Sequence, residues 1–76
     1  MNEIMEILKT IKPGAAIDEN TELIASGVLT SLDIVRLASM LADEFDVEVS
    51  VRDIIPSNFE TVGAIAGMVE RLQEDA

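Results

Sequence analysis

A chain of 76 residues with neither cysteine nor histidine has no disulfides or common zinc sites to staple it. It likewise has no Ser-His-Asp triad, Cys-His pair or histidine base for catalysis. Its net charge of −10, from 15 acidic and 5 basic residues, repels nucleic-acid phosphates and anionic membranes and suits basic patches on protein partners.

The periodicity predicts a first helix from about Asn2 to Ile11, with Asn2 as its N-cap. Ile4, Ile7, Leu8 and Ile11 fall on one stripe at i, i+3, i+4 and i+7. Pro13-Gly14 stops that helix. A long connection comes next, from about Ala15 to Leu29. Its apolar residues Ile17, Leu23, Ile24, Val28 and Leu29 predict that it packs on the helices. Asp18 and Asn20 open like a calcium loop, but Leu23 stands where an EF-hand needs glycine.

A second helix begins near Thr30 or Ser31 and ends near Phe45. Ile34, Leu37, Ala38, Leu41 and Phe45 form its core stripe, while Asp33, Arg36, Ser39, Met40 and Asp43 project elsewhere. After a short loop, Ser50 and Asp53 have capping-box spacing and open a brief third helix, which Pro56-Ser57-Asn58 breaks. The last helix starts near Thr61 and buries Val62, Ile65, Ala66, Val69 and Leu72. Gly63 and Gly67 lie one turn apart in it, as in a close helix approach. The tail Gln73 to Ala76 frays.

The expectation is an all-α, small four-helix bundle of three main helices and one short one, with a single domain over residues 1–76. With 49% apolar and only 3% aromatic residues, its core is aliphatic. The chain shows neither a charged-then-apolar N-terminal signal nor an apolar run near about 18 residues. The expectation is therefore a cytoplasmic, monomeric protein.

The segment Gly27-Val28-Leu29-Thr30-Ser31-Leu32 delivers a glycine turn to a helix start that carries two hydroxyls. Ser31 reads as an ordinary capping serine. Equally, Thr30 caps the helix with Asp33 reaching back, which leaves Ser31 in the first turn and free for modification.

The segment continues through Leu32-Asp33-Ile34-Val35-Arg36-Leu37 to Leu41-Ala42-Asp43-Glu44-Phe45. It then reaches Val47-Glu48-Val49, Asp53 and Asn58-Phe59-Glu60-Thr61-Val62. In this order and spacing the chain resembles the phosphopantetheine-dependent carrier proteins, the acyl and aminoacyl carriers, from about Thr21 to Leu72. The resemblance implies a four-helix bundle that is not an enzyme. It implies that Ser31, flanked by Thr30 and Leu32, receives a 4′-phosphopantetheine arm from coenzyme A. The arm's thiol, absent from the chain itself, then holds cargo as a thioester.

The implied partners are a phosphopantetheinyl transferase, an acyl- or aminoacyl-activating ligase, and a downstream synthase or transferase. The implied recognition residues on the second helix are Leu32, Asp33, Val35, Arg36, Asp43 and Glu44. Two departures stand out. Thr30 replaces the family's usual Asp, a carboxylate that assists the transferase and its magnesium ion. Arg36 and Ala42 replace acids common in fatty-acid carriers, although Arg36 also fits an i,i−3 pair with Asp33. Gly27-Val28-Leu29 and Asn58-Phe59-Glu60 look more like the free-standing aminoacyl and D-alanyl-type carriers. The rival reading is a carrier-like acidic adaptor that is never modified and acts only by protein–protein interaction.

Overall fold

Helix α1, Asn2–Ile11, presents its expected stripe to the interior: Ile4, Ile7, Leu8 and Ile11 are all buried. The computed structural model describes residues 2–74. Asn2, expected as the N-cap, is already the first helical residue. The N–H of Lys12 still donates to the carbonyl of Leu8 at 2.8 Å, after which Pro13 and Gly14, at φ +91°, turn the chain away.

The connection to α2 packs as expected. Leu23 and Leu29 are buried, and Ile17, Ile24 and Val28 lie against the core. Asp18 spends its carboxylate locally: one oxygen accepts from the Asn20 N–H at 2.8 Å and from the Thr21 hydroxyl at 3.2 Å. That is a turn built by an acidic side chain.

Helix α2, Ser31–Phe45, buries Leu37, Ala38 and Leu41, with Ile34 and Phe45 at the core margin. Two residues expected to project away do not. Met40 packs against the core, and Asp33 is buried. The helix ends on Asp46 in the left-handed region at φ 53°, whose N–H donates to the Ala42 carbonyl. Few residues besides glycine and asparagine accept that conformation.

The expected brief third helix is two pieces. Val51–Asp53 forms a 3-10 turn opened by Ser50, whose N–H and hydroxyl both donate to the Asp53 carboxylate, at 3.0 and 3.1 Å. Pro56 then starts helix α3, Pro56–Phe59, instead of breaking a helix. At the first helical position a proline loses no hydrogen bond, and its fixed φ suits the helix. Phe59 is fully buried, and truncation to Ala there costs about 3–5 kcal/mol.

Helix α4, Val62–Glu74, buries Val62, Ile65, Met68 and Val69. Met68 lies outside the expected stripe, and Ala66 and Leu72 sit only at the margin. Gln73 and Glu74 are helical rather than frayed, and residues 75 and 76 lie outside the described ones. The two glycines do not serve a close approach. A Cβ at Gly63 would meet only the Thr61 side chain at 3.7 Å, and one at Gly67 only the Arg71 side chain at 3.6 Å.

Helix α1 packs on α2 and α4, and α3 packs on α4. The architecture is the expected all-α bundle, with no strand among the described residues. Among the described residues no helix is long and apolar enough to cross a membrane.

Candidate functional site

The start of α2 is held from both sides. On one side the chain makes a turn over residues 23–27, where the Ser26 N–H donates to Glu22 and Gly27 adopts φ +81°. The Leu29 N–H then donates back to the Leu23 carbonyl at 2.9 Å. Burial of Leu29 fixes the backbone two residues before Ser31.

Thr30 is the N-cap, with extended backbone at φ −92° and ψ 172°. Its hydroxyl accepts from the Asp33 N–H at 3.3 Å. The same hydroxyl donates to the Asp33 carboxylate at 2.9 Å, and the Thr30 N–H donates to that carboxylate at 3.0 Å. Of the two cap assignments left open by the sequence, the structure takes the Thr30 one, a reciprocal capping box.

On the other side, Lys12 Nζ lies 2.8 Å from the Asp33 carboxylate. Asp33 is only 8% exposed, so this acid is turned inward. The Lys12 ammonium first, and the Thr30 N–H next, hold its carboxyl well below the usual value, at about 2. Arg36 is therefore not the partner of Asp33.

Ser31 occupies the first helical position, and it is exposed. Its hydroxyl has no hydrogen-bond partner among the described residues. Two neighbouring hydroxyls thus differ sharply: that of Thr30 is committed as donor and acceptor, and that of Ser31 is free. Beneath Ser31 lie the first-turn N–H groups of a 15-residue helix, which favour an anion.

Beside the hydroxyl runs an open apolar depression of about 240 Å³ between α2 and the 3-10/α3 segment. Ser31, Ile34, Val35, Ile54, Ile55 and Pro56 line it. The sequence reading missed Ile54, Ile55 and Pro56. Two adjacent isoleucines before a proline, outside any helical stripe, mark an unassigned apolar pair, but only the fold sets them beside Ser31.

The other expected recognition residues spread along the outer face of α2. Leu32 is 72% exposed and Val35 54%, and Arg36, Asp43 and Glu44 are also exposed. The face is divided. Leu32, Val35 and Arg36, close to Ser31, are apolar and positive, whereas Asp43 and Glu44 at the far end are negative. Asp33, expected among them, is withdrawn into the ion pair. No group of three potential metal ligands occurs among the described residues.

Such a site offers one free primary hydroxyl, an anion-favouring helix end and an apolar groove. Together they suit the attachment of a long, phosphate-linked chain. A family model described as the phosphopantetheine attachment site matches residues 1–69. No curated protein matches the chain.

Proposed function

This chain belongs to the phosphopantetheine attachment-site family, and from that premise we propose that Ser31 is the residue that receives the arm. Members of the family are carriers rather than enzymes, and this chain is a carrier of 4′-phosphopantetheine. The arm supplies the thiol that a chain without cysteine lacks, and on it an acyl group is held as a thioester. Family membership entails work with a phosphopantetheinyl transferase and with downstream enzymes.

The observation that carries the Ser31 assignment is the unequal state of two adjacent hydroxyls. Thr30 is locked into the box with Asp33, and Ser31 is exposed and unpartnered. In the loading step Ser31 Oγ bonds to the β-phosphorus of coenzyme A. The pyrophosphate bridge breaks, adenosine 3′,5′-bisphosphate leaves, and the hydroxyl proton passes to the transferase or to solvent. Thr30 orders the helix start, and Leu32 beside Ser31 supplies an apolar contact for the enzyme.

A ligase that activates the cargo and a synthase or transferase that consumes it dock on α2 through Leu32, Val35, Arg36, Asp43 and Glu44. The likeness of Gly27-Val28-Leu29 and Asn58-Phe59-Glu60 to the free-standing aminoacyl and D-alanyl-type carriers makes an aminoacyl group the first cargo to test.

The test is intact mass after incubation with coenzyme A and a broad-specificity transferase. One arm is expected on the natural chain and on Thr30→Ala, and none on Ser31→Ala. An arm that persists in Ser31→Ala overturns the assignment. A natural chain that stays unmodified with several transferases favours the adaptor reading instead.

A further inference from the structure

We infer that Asn58 is a positioning residue for the groove beside Ser31: its carboxamide fastens the wall formed by residues 54–56 to helix α4, and so sets how well the groove shelters what Ser31 carries. The inference rests on the Ser31 reading for what enters the groove, and on the chain alone for the fastening.

The two walls of the groove come from different parts of the bundle. Ile34 and Val35 stand on α2, whereas Ile54, Ile55 and Pro56 run from the 3-10 turn into α3. Ile54 and Ile55 belong to no α-helix. Ile54 packs against the core, but Ile55 is 45% exposed. A segment with so little burial of its own needs polar anchors to keep one position.

Asn58 supplies them. Its Nδ2 donates to the Asp53 carbonyl at 2.8 Å, which closes residues 54–57 into a loop pinned at both ends. Its own backbone N–H donates to the Ile55 carbonyl at 3.0 Å. Its Oδ1 accepts from Arg71 Nη2, on α4, at 3.1 Å. A carbonyl can only accept and a guanidinium can only donate, so a carboxamide in this one orientation joins both. The bond to Asp53 is part-buried and that from Arg71 exposed, so the Asp53 end is the stronger. Gly67 leaves the Arg71 side chain room along α4: a Cβ there would meet Nη1 at 3.6 Å.

A first measurement needs no arm. Amide exchange of the unmodified chain, read by NMR, should speed about fivefold at Ile54 and Ile55 in Asn58→Ala, the scale of one part-buried hydrogen bond. These two N–H groups donate to the Val51 and Asp53 carbonyls within the wall. Exchange at Ile34, whose N–H donates to Thr30 at the start of α2, should not change.

A second uses the loaded chain. A broad-specificity transferase places a hexanoyl arm on Ser31 from hexanoyl-coenzyme A, and hydroxylamine then cleaves the thioester. Its nitrogen bonds to the carbonyl carbon, the C–S bond breaks, and the arm's thiol leaves with a proton; intact mass follows the loss. The natural chain should be cleaved more slowly than free hexanoyl-coenzyme A, and Asn58→Ala about fivefold faster than the natural chain. Asn58→Asp still accepts from Arg71 but cannot donate to Asp53, and should match Asn58→Ala. Arg71→Ala should fall between. Ile4→Val controls for stability. Ile4 is buried near Phe45 at the far end of α2, and losing one methylene there costs about as much as one hydrogen bond. Its thioester should be as protected as that of the natural chain.

Unchanged exchange at Ile54 and Ile55 in Asn58→Ala overturns the fastening. A thioester as labile on the natural chain as on free coenzyme A, or equally protected in Asn58→Ala, overturns its role in shelter. So does a loss of protection in Ile4→Val equal to that in Asn58→Ala, which would make the effect a general loosening of the bundle. A natural chain that takes no arm, or a Ser31→Ala chain that takes one, counts against the Ser31 reading instead, and the exchange measurement still decides the fastening.

Discussion

The backbone N–H of Leu23 donates to the carbonyl of Glu60 at 2.8 Å, tying the middle of the long connection to the end of α3. The Leu23 side chain is fully buried, so this segment belongs to the core although it has no regular structure. A connection anchored at Leu23, by its buried side chain and by backbone hydrogen bonds to Glu60 and from Leu29, also positions the residues it leads into, Thr30 and Ser31. Leu23→Ala should therefore behave as a core truncation, costing about 2–5 kcal/mol in urea unfolding. A cost below about 0.5 kcal/mol, typical of a surface substitution, would mean that the connection does not brace the site.

Asp33 gives the protein a specific sensitivity to acid. Its carboxyl lies at about 2 in the folded chain against an ordinary 3.8, because Lys12 and the Thr30 N–H favour the ionised form. A depressed folded value contributes stability above the unfolded value and loses it as pH falls through the folded one. The contribution is thus whole above about pH 4 and is lost between about pH 4 and pH 2. Melting temperatures of the natural chain should fall more steeply across that window than those of Asp33→Asn. Parallel curves would show that Asp33 is not a source of the acid lability.

The buried stripes of α1 and α2 are legible in the sequence because 3.6-residue periodicity is a local property. So is the Thr30–Asp33 box, whose partners are three residues apart. The Lys12–Asp33 pair is not, since the pairing joins residues that only the folded connection brings together. Asp33 looks like any surface acid in a first turn until Lys12 is beside it. Pro56 misleads for a similar reason: a proline stops a helix behind it and starts one ahead, and sequence alone favours neither. Met68 escapes because Ala66 fits the stripe equally well, and packing of α4 chooses the larger side chain. The groove beside Ser31 cannot be foreseen, because it depends on where the 3-10 turn and α3 set Ile54 and Ile55.

Thr30→Asp separates helix capping from enzyme recognition. Aspartate can still accept from the Asp33 N–H, but it cannot donate to the Asp33 carboxylate as the Thr30 hydroxyl does at 2.9 Å. Two carboxylates would then face each other in one box. A loss of about 1 kcal/mol is expected at neutral pH, the value of one such hydrogen bond. If a carboxylate at this position assists the transferase, as the resemblance implies, the loading rate should rise although stability falls. Unchanged stability would show that the hydroxyl's donation to Asp33 is dispensable, and an unchanged rate that Thr30 is no handicap to loading.

The glycines of α4 invite a stabilising change. Gly67 lies in the helix interior, and a methyl there would make only an ordinary contact with the Arg71 side chain. Gly67→Ala should add about 1 kcal/mol through helix propensity. Gly63 sits in the first turn, where fewer intrahelical bonds depend on it, and Gly63→Ala should add less. Denaturant midpoints measure both. A loss of stability at Gly67 would mean that α4 packs closer to its neighbours than the 3.6 Å clearance indicates.

The outer face of α2 should matter to partners and hardly at all to folding. Leu32 is 72% exposed and Val35 54%, so truncating either to Ala removes little buried surface. Each should cost less than about 0.5 kcal/mol in stability. Docking should respond differently, because exposed apolar side chains near the centre of an interface carry much of its energy. Leu32→Ala and Val35→Ala should each weaken binding of the transferase about tenfold, the loss of one buried aliphatic contact. Lysine replacements at Asp43 and Glu44 should slow association and reduce its salt dependence, whereas lysine at Glu6 on α1 and Glu70 on α4 should do neither. Binding kinetics at two ionic strengths distinguish these classes. Equal effects from both acidic pairs, with intact affinity in the Leu32 and Val35 variants, would move the docking surface off α2 and reduce the net charge of −10 to a matter of solubility.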